Sequence, residues 1–522
     1  MKTAFFAVAA LAFAPVTLAA PPVAPVVTVG AHSIKRLQFD WPSVPGVGRY
    51  ELWFRAAPGA QWVKYTETIA QRPLIRITVS VHLLDWRVAR YRVAACNPSG
   101  CTNSAEVRVN EIVLDAVGYL KQSSAAEGRW FGQVVAMSAD GYTAAVATAQ
   151  SAGNNADNGI VYLYRKTSSS SPWRLESRLI PSLFRRGSSQ PYSASTSLAV
   201  NGDGSLVAFG RYTEGIGGQP ANGAVYLFRR NGTTWSQEKR LAGGGANDRF
   251  GNAVDLDDSG NTLSVWRRAD TAAGYGVTEI YNRTSAGWQP TATLPVPLPP
   301  FGITNCEAHH ALSGDGKTLL RTCGVAGTPV VLVHNAPGWG ESARINAGDN
   351  AEIDTNFDGT LFATRRGYAF ADVYRLQQNV WSPDIGSPLD MNNDSDVVSP
   401  VYTSIALSRD GKFIAAGDAE DGHGEIGPNY PPIPENVSRE RGSVYVFERK
   451  PSGWKLRRLM KPSVAASSLY SFPSLYGYSV AIGANGRALI VGAVDDRSAA
   501  TGINGDPANI SLPQNLGAAW LY

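Results

Sequence analysis

Asp354-Thr-Asn-Phe-Asp-Gly359 places oxygen-bearing side chains at alternate positions, Asp354, Asn356 and Asp358, just ahead of a glycine. A hard cation such as calcium takes about six to eight oxygen ligands, and closely spaced carboxylates on a tight loop supply them. Asp255-Leu-Asp-Asp-Ser-Gly260 and Asp390-Met-Asn-Asn-Asp-Ser-Asp396 are looser versions. A second grouping, Asp418, Glu420, Asp421, His423 and Glu425, with Tyr430 beyond it, sets paired carboxylates beside an imidazole. Those are the residue types of acid–base catalysis. Each group also has an ordinary reading, since Asp358-Gly359 is a turn dipeptide and charged loops are commonly just solvated. His309 and His310 are adjacent, so on a strand one faces inward and the other into the packing. No Gly-x-Ser-x-Gly, His-Glu-x-x-His or phosphate-cradling loop occurs. The expectation is a chain with no catalytic residues, and with calcium at Asp354, Asn356 and Asp358 as the one cofactor candidate.

The elements that must hold these residues repeat. One unit runs from Phe131 through Asp140-Gly141, then Gly159-Ile-Val-Tyr-Leu-Tyr164, then Trp173-Arg-Leu-Glu-Ser-Arg-Leu-Ile180; its four strands are termed A, B, C and D. The A–B turn recurs as Asp203-Gly204, Ser259-Gly260, Asp315-Gly316, Asp358-Gly359, Asp410-Gly411 and Asn485-Gly486, dipeptides that tolerate positive φ. Strand C recurs seven times, but the tryptophan that opens strand D only six: Trp173, Trp235, Trp288, Trp339, Trp381 and Trp454. Repeats of this kind predict a β-propeller over 112–522, with seven blades fitting the count better than six or eight. The missing outer strand is expected from residues 112–122, which lead into Phe131-Gly132 as strand D leads into the next repeat. That closes the ring and removes the open edge.

Residues 22–110 carry short alternating runs, among them Leu37-Gln-Phe-Asp-Trp41, Tyr50-Glu-Leu-Trp-Phe54 and Tyr91-Arg-Val-Ala-Ala95, which predict an all-β sandwich. At the front, Lys2, an apolar run from Ala4 to Leu18, and small residues Thr17 and Ala19 before the expected cut read as a signal peptide over 1–19. The run is too short for a bilayer, which takes about 20 residues, so no transmembrane segment is expected. An even number of cysteines in an exported chain favours the disulfides Cys96–Cys101, across Asn-Pro-Ser-Gly, and Cys306–Cys323, across the Gly314-Asp315-Gly316 turn; buried free thiols are the alternative. Net charge is only +4 and basic pairs sit at strand ends, so no nucleic-acid partner is expected.

Two resemblances follow from these residues. Trp41 before Pro-Ser-Val-Pro-Gly, Tyr50-Glu-Leu-Trp, and Leu84 ahead of Tyr91-Arg-Val-Ala-Ala-Cys-Asn-Pro-Ser-Gly-Cys101 resemble a fibronectin type III domain. That likeness implies that Trp41 is a core residue and Tyr91 a corner residue. Phe131-Gly132, Phe250-Gly251, Phe301-Gly302 and Val491-Gly492-Ala493, in their sevenfold register, resemble the FG-GAP repeat of integrin α-chains. That likeness implies calcium loops, which most of these repeats lack. The A–B and C–D turns are short whereas B–C links, such as the one through Tyr430-Pro-Pro-Ile-Pro434, are long and D–A links vary, so the B–C/D–A face, biased toward blades six, seven, one and two and with Asp418 to Tyr430 on it, is the expected binding surface. Drift in loop length is the other explanation. The expectation is therefore an exported protein, monomeric and noncatalytic, in a bacterial periplasm, on the cell surface or in the medium, binding a protein or glycan. A polysaccharide hydrolase or lyase and a calcium-bound spacer are the alternatives.

Overall fold

The computed structural model describes residues 20–123, 129–149, 159–181, 196–215, 221–268, 276–295, 308–323, 330–335, 338–345, 350–366, 370–391, 403–421, 442–462, 474–506 and 516–522. Residues 1–19, Cys306, Phe301-Gly302, His423, Glu425 and Tyr430 lie outside these. The described chain is all-β apart from a 3-10 turn at Asn110–Ala116, and no described helix is long and apolar enough to cross a membrane. It divides into two compact units: Leu37–Ile77 and Asp85–Ile112 with the residues up to His32, and Val113–Tyr522 with Ser33–Arg36 and Thr78–Leu84.

In the first unit, strands β1 (Thr28–Ser33), β2 (Arg36–Asp40) and β5 (Leu74–Thr78) form one sheet. Strands β3 (Arg49–Arg55), β4 (Val63–Ile69), β6 (Arg90–Asn97) and β7 (Gly100–Asn103) form the other, in the order β4-β3-β6-β7. Alternation buries every second side chain between them: Leu37, Phe39 and Trp41 from one, Tyr50, Leu52, Tyr91 and Val93 from the other. The Tyr91 ring lies 5.0 Å from Phe39 and 5.1 Å from Phe54, and Trp41 lies 5.0 Å from Tyr50. Cys96 and Cys101 stand opposite one another across the β6–β7 hairpin and are joined as a disulfide.

The second unit holds seven antiparallel sheets among the described residues. The first consists of β9 (Arg129–Met137), β10 (Thr143–Ala149), β11 (Val161–Arg165) and β12 (Arg174–Leu179), strands A to D; in the fifth, a short extra strand, Leu389–Asp390, also pairs strand C. The seventh is Tyr476–Ile482, Leu489–Ala493 and Ala518–Leu521, completed by β8 (Gly118–Leu120), whose Leu120, Tyr119 and Gly118 face Ala519, Trp520 and Leu521. The A strands neighbour one another in a closed cycle, the seventh against the first. A circle of backbone hydrogen bonds joins the A–B turns: Asp140 to Gly202, Gly202 to Asp258, Asp258 to Gly314, Asp315 to Phe357, Phe357 to Arg409, Asp410 to Ala484, and Ala484 to Ala139, all at 2.8–3.0 Å. This is the arrangement of a β-propeller. In its fourth sheet Cys323 stands opposite Ala308, so the Cys306–Cys323 pairing stays a proposal.

Aromatic–glycine pairs, Phe131-Gly132, Phe250-Gly251 and Tyr476-Gly477, close three of the seams. Gly132 (φ +87°) follows Phe131, and its carbonyl accepts Ser479 Oγ at 2.8 Å. Gly492, the last but one residue of strand B of the seventh sheet, lies there, where a Cβ would be 1.9 Å from the Gly132 oxygen. The same lock recurs with Gly251, Ser197 and Gly210 between sheets two and three, and with Gly477, Ser404 and Gly417 between six and seven. Backbone meets backbone at these seams, and only glycine leaves room.

Farther out, three of the six D-strand tryptophans, Trp173, Trp235 and Trp381, carry a carboxylate three residues on: Glu176, Glu238 and Asp384. Each reaches the following sheet. Glu176 accepts from Arg230 (2.7 Å) and the Trp235 indole (2.9 Å), Glu238 from Arg283 (2.9 Å), and Asp384 from Arg449 (2.8 Å) and the Trp454 indole (2.9 Å). Burial works against the charged form of Asp384, but Arg449, Arg375 and Trp454 outweigh it and hold its carboxyl down at about 2. A depressed carboxyl stabilises the fold fully above its ordinary pKa, and that contribution disappears as pH falls through the folded value. Asp384→Asn should therefore cost about 1.5–3 kcal/mol at neutral pH, the range for hydrogen bonds to a charged group. It should also flatten the loss of stability between about pH 4 and 2, as urea titrations across that range would read.

Candidate functional site

Counting back five residues from each turn glycine gives Ala136, Ala199, Ala311, Ala406 and Ala481 in five sheets, but Asp255 and Asp354 in the third and fifth. The A strands line the axis and have no partner on their inner edge, so their amides need acceptors. Asp255 accepts from Leu256 (2.8 Å) and from Leu312 of the next sheet (2.7 Å). Asp354 accepts from Thr355 and from Leu407 of the next sheet, both at 2.7 Å. From the sixth turn, Arg409 reaches across to Asp258 of the third (Nε to Oδ1, 3.2 Å). Its Nη1 donates to the carbonyls of Leu312 and Thr355, both at 3.2 Å. One guanidinium thus ties four sheets, beside a cavity of about 160 Å³ whose other walls include Val135, Met137, Leu198 and Ile482.

Three carboxylates share that one cation. Burial pushes Asp255 up to about 6, opposed chiefly by Arg409, and it raises Asp354 and Asp258 against the same opposition. Burial alone would lower Arg409, but Asp255, Asp354 and Asp258 together hold it above its ordinary value. The knot can take up a proton in the mildly acidic range.

The calcium candidates separate into three different jobs. Asp354 faces the axis, while the Asn356 side-chain oxygen caps the turn by accepting from Leu361 N (3.0 Å). Asp358 accepts from Thr360 N (3.2 Å) and Oγ (2.6 Å), and it receives the Asn356 amide N–H at 2.8 Å. Ser138, Asn201, Ser313 and Ser408 cap the corresponding turns in the same way. Oxygens committed to separate backbone groups, with an amide N–H turned inward, do not fit a hard cation. Asp255-Leu-Asp-Asp splits likewise: Asp255 goes to the axis, Asp257 to its own turn amides at 2.8 and 2.7 Å, and Asp258 to Arg409.

Of the binding-face candidates at the start of the sixth B–C link, Asp418 is 5% exposed and Asp421 0%. Asp418 lies 4.0 Å from Arg365. Asp421 accepts the Tyr445 hydroxyl at 2.8 Å, with Lys461 at 3.6 Å. Glu214 with Tyr226 and Arg240, and Asp496 with Tyr119 and Lys121, repeat this arrangement where other B–C links begin. These acids anchor the link rather than decorate it, because a buried carboxylate persists only when paired and hydrogen-bonded. Glu420 is half-buried.

Of the two histidines, His310 packs against Ser264 at 3.0 Å, and burial, helped by Arg321, pushes it down to about 3, so it is neutral. His309 pairs with Glu352 at 3.2 Å, both about one-third exposed. Glu352 and Arg409 escaped the sequence reading. The signal for Arg409 was present in the turn register, where it stands in the place of Ala139, Gly202, Gly314 and Ala484.

No protein-family model matches the chain, and no curated protein matches it. Among solved structures, the chain is similar to the β-propeller domain of Myceliophteria thermophila Cps50 (Swd1). Identity is 11% and the TM-score 0.43, over 74% of this chain and 95% of that one. The propeller arrangement stands on the closed ring of sheets, not on this likeness.

Proposed function

We propose that this chain is an exported, noncatalytic binding protein. In this reading a seven-bladed, FG-GAP-type propeller follows a fibronectin type III-like domain and grips a protein or glycan through its B–C links. The observation that carries the reading is the contrast between scaffold and links. Every described seam is tied by turn bonds, glycine locks or carboxylate clasps. The links held by it run from Asp418 to Ser443 and from Ala493 to Ala518 in two sheets, against Arg366 to Phe370 in another. A rigid frame carrying long, unequal loops is how binding surfaces are built. The amino-terminal run after Lys2 and the Cys96–Cys101 disulfide support export. The enzyme alternative has lost Asp418 and Asp421 to the interior and retains the partly exposed His309–Glu352 pair.

The test is a glycan array and a protein pull-down with the mature chain, and with the same chain lacking residues 422–441. The full chain is expected to capture a ligand that the deletion binds at least tenfold more weakly, about 1.4 kcal/mol. Equal capture by a folded deletion variant would remove the blade-six link from the binding surface.

A further inference from the structure

The side chains of β3 and β6 that point away from the first unit's core meet on one face of its sheet. The register sets Trp53 opposite Arg92 and Arg55 opposite Arg90. The antiparallel bridge between Tyr91 and Val107 brings Glu106 and Arg108 along the other side of β6. Arg55, Arg90 and Arg108 therefore form a row across the sheet, with Arg92 beside it. Like charges directly opposite one another destabilise a sheet. After burial itself, Arg108 and Arg55 are the neighbours that push the Arg90 guanidinium below its ordinary pKa.

The local carboxylate is already committed: both oxygens of Glu106 accept from Arg55, at 2.8 and 2.7 Å. Arg90 donates to the carbonyls of Arg87 and Ala89. Among the described residues, Arg92 and Arg108 have no carboxylate within ion-pair distance, and Arg92 Nε is buried without a hydrogen-bond partner. Arg92 is held in place by aromatic rings instead, 4.3 Å over Trp62 and 5.9 Å over Trp53, while Arg55 lies 5.0 Å over Trp62. Cation–π contacts orient a guanidinium but leave its charge and its N–H donors unanswered.

We infer that this face binds an anionic polysaccharide, seating a carboxylate or sulfate group between Arg92 and Arg108. The planar guanidinium fork matches either group with paired hydrogen bonds. A single-stranded nucleic acid would need open aromatic faces for its bases, and here guanidinium groups already lie on Trp53 and Trp62. The site uses none of the B–C residues, so it stands or falls separately from the propeller's role.

The test uses the full chain against immobilised polygalacturonate, dextran sulfate, uncharged dextran and DNA, at low and high salt. Binding to a charged polysaccharide that weakens with salt is expected, and the preferred polymer names the group as carboxylate or sulfate. Arg92→Gln and Arg108→Gln should each weaken binding roughly tenfold or more, the loss of a charge-assisted hydrogen bond. Arg92→Lys should retain part of it, and Lys455→Gln on the second unit none of the effect. Deleting residues 422–441 should leave this binding unchanged. Arg108→Gln serves if Arg92→Gln disturbs the tryptophans, with a preserved thermal transition as the check on folding. Equal binding of uncharged dextran, glutamine variants that bind like the parent, or DNA bound with the same arginine dependence would each overturn the inference.

Discussion

Gly492→Ala should leave the second unit unable to close, with no cooperative unfolding transition or one weakened by more than about 4 kcal/mol, beyond the usual range for a point substitution. The added methyl would sit 1.9 Å from the Gly132 carbonyl oxygen. That oxygen is main chain, fixed by Ser479, and belongs to the strand that begins the ring. A clash with a flexible side chain relaxes at small cost, but a clash of two backbones moves a whole sheet. The control is Gly232→Ala, a turn glycine with φ +62° and open space around its Cβ direction, where only the left-handed backbone penalty of roughly 1–2 kcal/mol applies. Urea unfolding of both variants reads the difference. Similar midpoints would show that the seam opens and reseals without penalty, and the lock would not be what closes the ring.

The second large effect is at the axis. Arg409→Met strands Asp255, Asp258 and Asp354 around the axial cavity, and removing one partner of a buried pair costs about 3–5 kcal/mol. Its pH dependence distinguishes this from ordinary loss of packing. A carboxyl raised to about 6 in the fold, as in Asp255, contributes stability fully present below its unfolded pKa and lost as pH rises through 6. Without Arg409, the chief charge opposing that rise, the window moves upward. The variant should therefore lag the parent by more at pH 7.5 than at pH 5 in urea titrations. Arg409→Lys keeps the charge without the fork that reaches three acceptors, and should fall between them. A deficit that is the same at both pH values would mean that the carboxylates do not feel Arg409.

Much of this architecture was legible because turn chemistry is local. Asp140-Gly141 and its six counterparts mark the hairpins, and the shortage of one D-strand tryptophan points to Gly118–Leu120 as the closing strand. The clasps were half visible: Trp173, Trp235 and Trp381 stood out, but the acid three residues on matters only once the next sheet's arginine is beside it. Asp354, Asn356 and Asp358 look like one ligand loop because spacing along a chain does not say where each side chain goes. On a strand that runs into a turn, alternate residues part company. Asp418 and Asp421 stand at the end of a hydrophobic run and read as loop; Asp421 is paired by Tyr445 and Lys461, later in the chain, and Asp418 by Arg365 of the preceding sheet. Arg409 stood out by its place in the turn register, but its partners Asp258, Leu312 and Thr355 are far away in sequence and converge only in the folded ring.

The pairing of β8 with Ala518–Leu521 also sets an order of events during synthesis. The two strands are separated by roughly 400 residues, so at ribosomal rates of about 5–20 residues per second the earlier one waits roughly 20–80 s for its mate. Through that interval the nascent chain carries blades with an open first seam and an unpaired outer strand. The propeller can accumulate sheet by sheet, but it cannot be sealed until the last strand has been made. A ribosome stalled anywhere before Ala518 leaves a product with exposed strand edges, a target for chaperones or for aggregation.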